Sequence, residues 1–163
     1  MGLIFNADEI FEMAEQIERN GAKFYRDAAD NASNADIKQM LLDMAAMEDG
    51  HLETFEQMRE QLAGRETGAT VFDPDNEAAL YLQTMAESHG SEGMKSPTMK
   101  LTGRESTKQV LEAALGAERD SVLFYVGLKD LVPANAGKDK VEAVIKEEIS
   151  HIAAISRKLK ELK

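Results

Sequence analysis

Two short stretches, Glu48-Asp49-Gly50-His51 and Glu148-Ile149-Ser150-His151, decide how the chain reads. Each is a Glu-x-x-His step, and each follows a lone glutamate thirty positions upstream, Glu18 and Glu118. Seven positions after each lone glutamate stands a tyrosine, Tyr25 and Tyr125. The two sets are offset by one hundred positions, so the second half repeats the polar landmarks of the first. Residues three apart on a helix share a face, so a Glu-x-x-His step aims an oxygen and a nitrogen at one point.

The flanking sequence is helical. Ile10, Ala14, Ile17, Gly21, Phe24 and Ala28 recur at helical spacing up to about Asp30, and Asn6 with Glu9 forms a capping pair at the start. The stretch Asn31-Ala32-Ser33-Asn34 reads as a turn, with Asn34 capping the next helix. That helix carries Ile37, Leu41, Met44, His51, Phe55, Met58 and Leu62 on one face and stops near Gly64. A third helix starts near Ser106 or Thr107, carries Leu111, Ala114, Val122, Tyr125 and Leu128, and stops at Pro133. The fourth begins around Lys138 and carries Val141, Val144, Ile152, Ile155, Leu159 and Leu162. Lys158, Lys160 and Lys163 crowd its end, where the helix dipole favours cations.

The expected fold is therefore all-α. It is a single domain over 1–163, a four-helix bundle made of a hairpin over 7–63, a long crossover over 64–105 and a hairpin over 106–162. Pro74 and Pro97 fall in the crossover, which has room for a short helix over 75–88. A connection of this length without a role is uncommon, and its reach suits passage from one end of a bundle to the other.

Hairpin geometry explains why the landmarks meet. Glu18 and Glu48 are equidistant from Ser33, and Glu118 and Glu148 from Pro133. Each therefore stands about 22 Å from its turn, near the middle of its helix. Packing the hairpins together brings four glutamates and two histidines to one level, within the apolar stripes. Carboxylates forced into an apolar core without cations would be strongly destabilising. Glu18, Glu48, His51, Glu118, Glu148 and His151 thus read as a dinuclear metal site.

Other residues of similar type read differently. A single Glu-x-x-His is common by chance, and Glu12, Glu15, Glu53, Glu56 and Glu112 read as solvated helix carboxylates. His89 lies in the crossover with no partner at ligand spacing and reads as a solvated loop histidine. Met40, Met44, Met47 and Met58 read as core filler, since thioethers suit softer ions. Two turns, about 10 Å, separate each tyrosine from the glutamate it follows. Tyr25 and Tyr125 are either ordinary core tyrosines or donors that reach a ligand on a neighbouring helix, with a capacity for one-electron transfer.

Composition narrows the class. Of 163 residues, 43% are hydrophobic and 30% charged, which fits a globular chain with a sizeable core. There is no cysteine, which excludes a disulfide framework, thiolate metal sites and thiol chemistry. The formal net charge of −11 opposes binding to nucleic acid or an anionic membrane surface. No run of about eighteen apolar residues occurs and no signal-like segment follows Met1, so a cytoplasmic location is the expectation.

The pattern Glu18…Glu48-x-x-His51…Glu118…Glu148-x-x-His151 resembles that of the ferritin-like di-iron carboxylate superfamily. The Glu-x6-Tyr repeats and internal duplication look most like its rubrerythrin branch. The resemblance implies Glu48 and Glu148 as bridging carboxylates, Glu18 and Glu118 as terminal ones, and His51 and His151 as one nitrogen ligand per iron. Two features depart from the branch. Rubrerythrins proper carry a cysteine-rich rubredoxin domain, and this chain lacks cysteine. They also tend to carry a further glutamate three positions after the third-helix ligand, where this chain has Ser121, so the set here is symmetric, closer to that of bacterioferritin.

The expected cofactor is two iron ions per chain, with manganese or zinc as possible substitutes. The leading functional expectation is reduction of hydrogen peroxide to water at a diferrous centre, with an external electron donor protein restoring it. A ferroxidase or iron-handling protein, oxidising Fe(II) with oxygen, is the first alternative. A redox-silent, metal-stabilised bundle or a partner-binding module using 64–105 is the second, and an oxygenase acting on an organic substrate the third. A homodimer is expected, since a long crossover can lie across a neighbour.

Overall fold

The computed structural model describes residues 7–63, 77, 80–82, 84, 101–132 and 134–162. Helix α1 spans Ala7–Asn31 and α2 spans Ala35–Ala63, joined by a three-residue turn. Helix α3 spans Thr107–Leu131 and α4 spans Lys138–Glu161, with a short 3-10 turn at Ala134–Ala136 between them. No strand occurs among the described residues, and no helix among them is long and apolar enough to cross a membrane.

Local chemistry sets the helix ends. Asn34 Oδ1 accepts the Ile37 backbone N–H at 3.0 Å, which satisfies one of the free donors of the first turn of α2. Ser106 and Gln109 form a reciprocal capping box at the start of α3, at 3.2 and 2.8 Å. Val132 is already extended, as the residue before a proline prefers, and α3 ends at Leu131. Gly137 opens α4 with φ of +101°, and a Cβ there would meet the Met58 methyl at 2.8 Å. Only glycine serves both demands.

Each hairpin packs most extensively within itself, and the hairpins meet through α1 against α3 and α2 against α4. The apolar residues form two clusters. One gathers Ile10, Phe11, Phe55, Phe124, Leu128 and Val141, and the other gathers Phe24, Ala28, Leu41, Leu111 and Ile155 among its members. The first takes the start of α1 with the end of α2, and the second takes the start of α3 with the end of α4. The end of α2 and the start of α3 therefore lie at opposite ends of the bundle.

Within the expected short helix over 75–88, residues 77, 80, 81, 82 and 84 are helical; the rest of that expectation lies outside the described residues. Leu82 is fully buried in the first cluster, and the Tyr81 hydroxyl donates to the Leu123 carbonyl on α3. Tyr81 lies so close to Gly127 that any side chain there would collide with its ring. The Asn6 cap, the Gly64 stop and His89 also lie outside the described residues.

Three expectations need correction. Leu162 is exposed because it lies past the last helical residue, Glu161, and Ile145, absent from the expected stripe, is buried. Val122 and Ile152 flank the buried stripes and are only half-buried. Glu15 is not solvated: it is 3% exposed, with its carboxylate held by Arg19 at 2.8 Å and by Arg59 at 3.2 Å. Arg59 on α2 also grips Asp8 through two nitrogens at 2.6 and 2.9 Å, so one guanidinium ties α1 to α2. Replacing Arg59 with Met should cost about 1–3 kcal/mol in urea unfolding, because Glu15 loses a partner while staying buried. An unchanged midpoint would show that Arg19 alone suffices.

Candidate metal centre

Between the two apolar clusters lies a polar layer. Glu18, Glu48, His51, Glu118, Glu148 and His151 are all buried there, none more than 4% exposed. Mid-helix position follows from the matched distances to the two turns, and inward orientation follows from the stripes. The structure brings together all six residues that the sequence pattern singled out.

Their donor atoms sort into two groups. Glu18, Glu48, His51 and Glu148 form one; Glu48, Glu118, Glu148 and His151 form the other, each with its donor atoms within 4.8 Å of one another. Glu48 and Glu148 belong to both. His51 Nδ1 lies 3.0 Å from Glu148 Oε1 and 3.4 Å from Glu18 Oε2. His151 Nδ1 lies 3.3 Å from Glu118 Oε2, 3.4 Å from Glu148 Oε2 and 3.5 Å from Glu48 Oε1. Five buried atoms, Glu18 Oε2, Glu48 Oε1, His51 Nδ1 and both oxygens of Glu148, have no hydrogen bond despite this crowding. Buried polar atoms are normally paired, so a set of orphans converging on one point calls for a cation. Carboxylate oxygens with one imidazole nitrogen per group fit a divalent first-row metal.

Burial and like charge act on this cluster together. Burial first, then the neighbouring Glu18 and Glu148 carboxylates, push the Glu48 carboxyl well above the usual range. Glu118 is pushed up by burial and by Glu148. Burial also works against ionisation of Glu148, but its contacts with Glu118, His151 and His51 outweigh this and bring it down. Burial alone would depress both imidazoles. The close carboxylates reverse that, raising His51 to about 11 and His151 to about 9. The carboxylates thus favour a proton on each imidazole that faces them.

The tyrosines bridge the hairpins. The Tyr25 hydroxyl on α1 donates to Glu118 Oε1 on α3, and the Tyr125 hydroxyl on α3 donates to Glu18 Oε1 on α1. Neither touches the glutamate it follows in sequence. Each pins one oxygen of a carboxylate and leaves the other facing the centre. Tyr125 is also stacked on Phe55, with ring centroids 5.1 Å apart.

Four further residues shape the layer and are not evident from the ligand spacing. A Cβ on Gly21 would sit 3.0 Å from Glu48 Oε2, so the absence of a side chain there leaves room for that carboxylate. Gly21 and Ser121, one hundred positions apart, both line a cavity of about 20 Å³ at the α1–α3 seam beside Tyr25, Glu48 and Glu118. That is room for about one water-sized molecule. Behind the imidazoles, His51 Nε2 meets Glu147 Oε2 at 2.7 Å, while His151 Nε2 meets the Met47 sulfur at 3.2 Å. Met47 is thus half-buried against a histidine rather than filling the core. The hundred-residue offset that relates the ligands also relates Met47 to Glu147, and would have flagged both.

Comparison with known proteins agrees with this geometry. The chain is similar in structure to a crystal structure from Thermotoga maritima described as a ferritin-like diiron-carboxylate protein. The TM-score is 0.68 and the identity 22%, covering 98% of this chain and 97% of that one. At that identity the likeness establishes the ferritin-like fold. No curated protein matches the chain. The family pattern for rubrerythrin matches residues 9–120, which takes in Glu18, Glu48, His51 and Glu118 and stops short of Glu148 and His151. With most of its length matched in this way, the chain belongs to the rubrerythrin family.

Proposed function

We propose that the protein is a di-iron peroxidase, reducing hydrogen peroxide with electrons returned by an external donor protein. The observation that carries the metal reading is the set of five orphaned buried atoms of Glu18, Glu48, His51 and Glu148. Glu18 and His51 would hold one ion, Glu118 and His151 the other, and Glu48 and Glu148 would be shared. Two ferrous ions, when bound, supply two electrons, which with two protons convert one peroxide to two waters.

The chain's own contribution is binding, orientation and exclusion of water. Tyr25 and Tyr125 fix the outer oxygens of Glu118 and Glu18, which turns the inner oxygens toward the centre. The apolar clusters at both ends keep bulk water out. The seam beside Gly21 and Ser121 offers a space of about 20 Å³, enough for about one water-sized molecule, and His51 also lines a cleft of about 440 Å³ between α2 and α4.

Anaerobic Fe(II) titration of the metal-free protein should bind two ions per chain. One equivalent of peroxide should then oxidise them much faster than one equivalent of oxygen, as followed by absorbance. Faster reaction with oxygen and continued iron uptake would instead favour a ferroxidase, and iron inert to both would sink the redox reading. Gly21→Ala forces Glu48 to give way by a few tenths of an ångström and should slow the peroxide step about tenfold. Glu48→Gln replaces a carboxyl whose ionisation burial and the neighbouring carboxylates already oppose, so it should not lower the melting temperature in chelator. It should also lose most of the gain of roughly 5–10 °C expected when Mn(II) at a hundredfold over its Kd stabilises the unaltered chain.

A further inference from the structure

The two halves of the centre are alike in their ligands and unlike one layer out. His51 and His151 both turn Nδ1 toward the carboxylates and Nε2 away from them. Behind His51 stands Glu147, an anionic acceptor at 2.7 Å from Nε2. Behind His151 stands Met47, at 3.2 Å from Nε2, and a thioether sulfur is a weak acceptor with no charge. The positions correspond, each being the residue just before the Glu of a Glu-x-x-His step.

We propose that Glu147 is a positioning residue that makes the two cation positions unequal, with the ion on His51 held more tightly than the ion on His151. This rests on the metal reading above. A carboxylate accepting the Nε2 proton fixes the His51 tautomer with the Nδ1 lone pair facing the centre. It also fixes the ring and makes the ligating nitrogen more basic. On its Nε2 side His151 meets the neutral Met47 sulfur in place of a carboxylate. Loss of such an outer partner typically costs 10–100-fold in metal affinity. The ligand set itself is symmetric, so the difference is assigned to the residues behind the imidazoles.

The surroundings make the idea testable without disturbing the fold. The Glu147 side chain is 51% exposed, at the rim of a cleft of about 440 Å³ between α2 and α4. His51 and Met47 line the same cleft, which leaves room for a longer polar chain at position 47.

The experiment is calorimetric titration of the metal-free protein with Co(II) alone, with the visible spectrum recorded at each addition. The unaltered chain should bind two ions in separated steps. Glu147→Gln should weaken the tighter step by about 10–100-fold and leave the other in place. Met47→Glu should strengthen the weaker step and draw the two together. In a His51→Ala background, Glu147→Gln should have no further effect, which a merely structural role could not explain. Two ions bound with both steps unmoved by Glu147→Gln would overturn the proposal while leaving the metal reading intact. A Glu147→Gln loss that persists without His51 would overturn it too. No Co(II) bound by the unaltered chain would overturn both.

Discussion

A carboxylate moved from water into a bundle interior gives up hydration that nothing apolar returns, and four of them at one level add mutual repulsion. Glu18, Glu48, Glu118 and Glu148 are placed in that position, with apolar clusters on both sides. The tyrosine hydroxyls and the imidazoles relieve part of the strain, and five donor atoms remain unpaired. A divalent cation bound here would relieve the rest, and its affinity would then be coupled to the folding free energy at this layer.

Much of this was legible in the chain itself. The four long helices follow from apolar residues at helical spacing, and the turns from Asn34, Ser106 and Pro133. The six buried polar residues follow from their matched distances to those turns. The reason is that helix register is a local property: fifteen residues fix a height, and three residues fix a face. Contacts between helices are a different matter. That Tyr25 would find Glu118, or that Glu15 would be covered by Arg19 and Arg59, depends on the rotation of one helix against another. Glu15 looked solvated because its cations sit on another turn and another helix. Residues that matter by being small, such as Gly21 and Gly127, give no positive signal until a neighbour is seen to need the space.

The hundred-residue repeat holds in the candidate ligands and the two tyrosines and fails at other positions beside them. Gly21 corresponds to Ser121, and Met47 to Glu147. The two half-sites thus share their inner chemistry and differ in access and support. Such divergence would let one centre hold two ions in distinct environments without altering the ligand set.

The reciprocal tyrosine contacts have a consequence for cooperativity. Each hairpin contributes one hydroxyl to a carboxylate of the other, and each shared glutamate serves donor atoms from both. Neither hairpin owns a complete half of the centre. Any opening of the α1–α3 seam breaks both hydroxyl bonds together and parts both donor groups at once. Partial assembly is thereby disfavoured, and the polar layer ties the two hairpins together alongside the apolar clusters that they share.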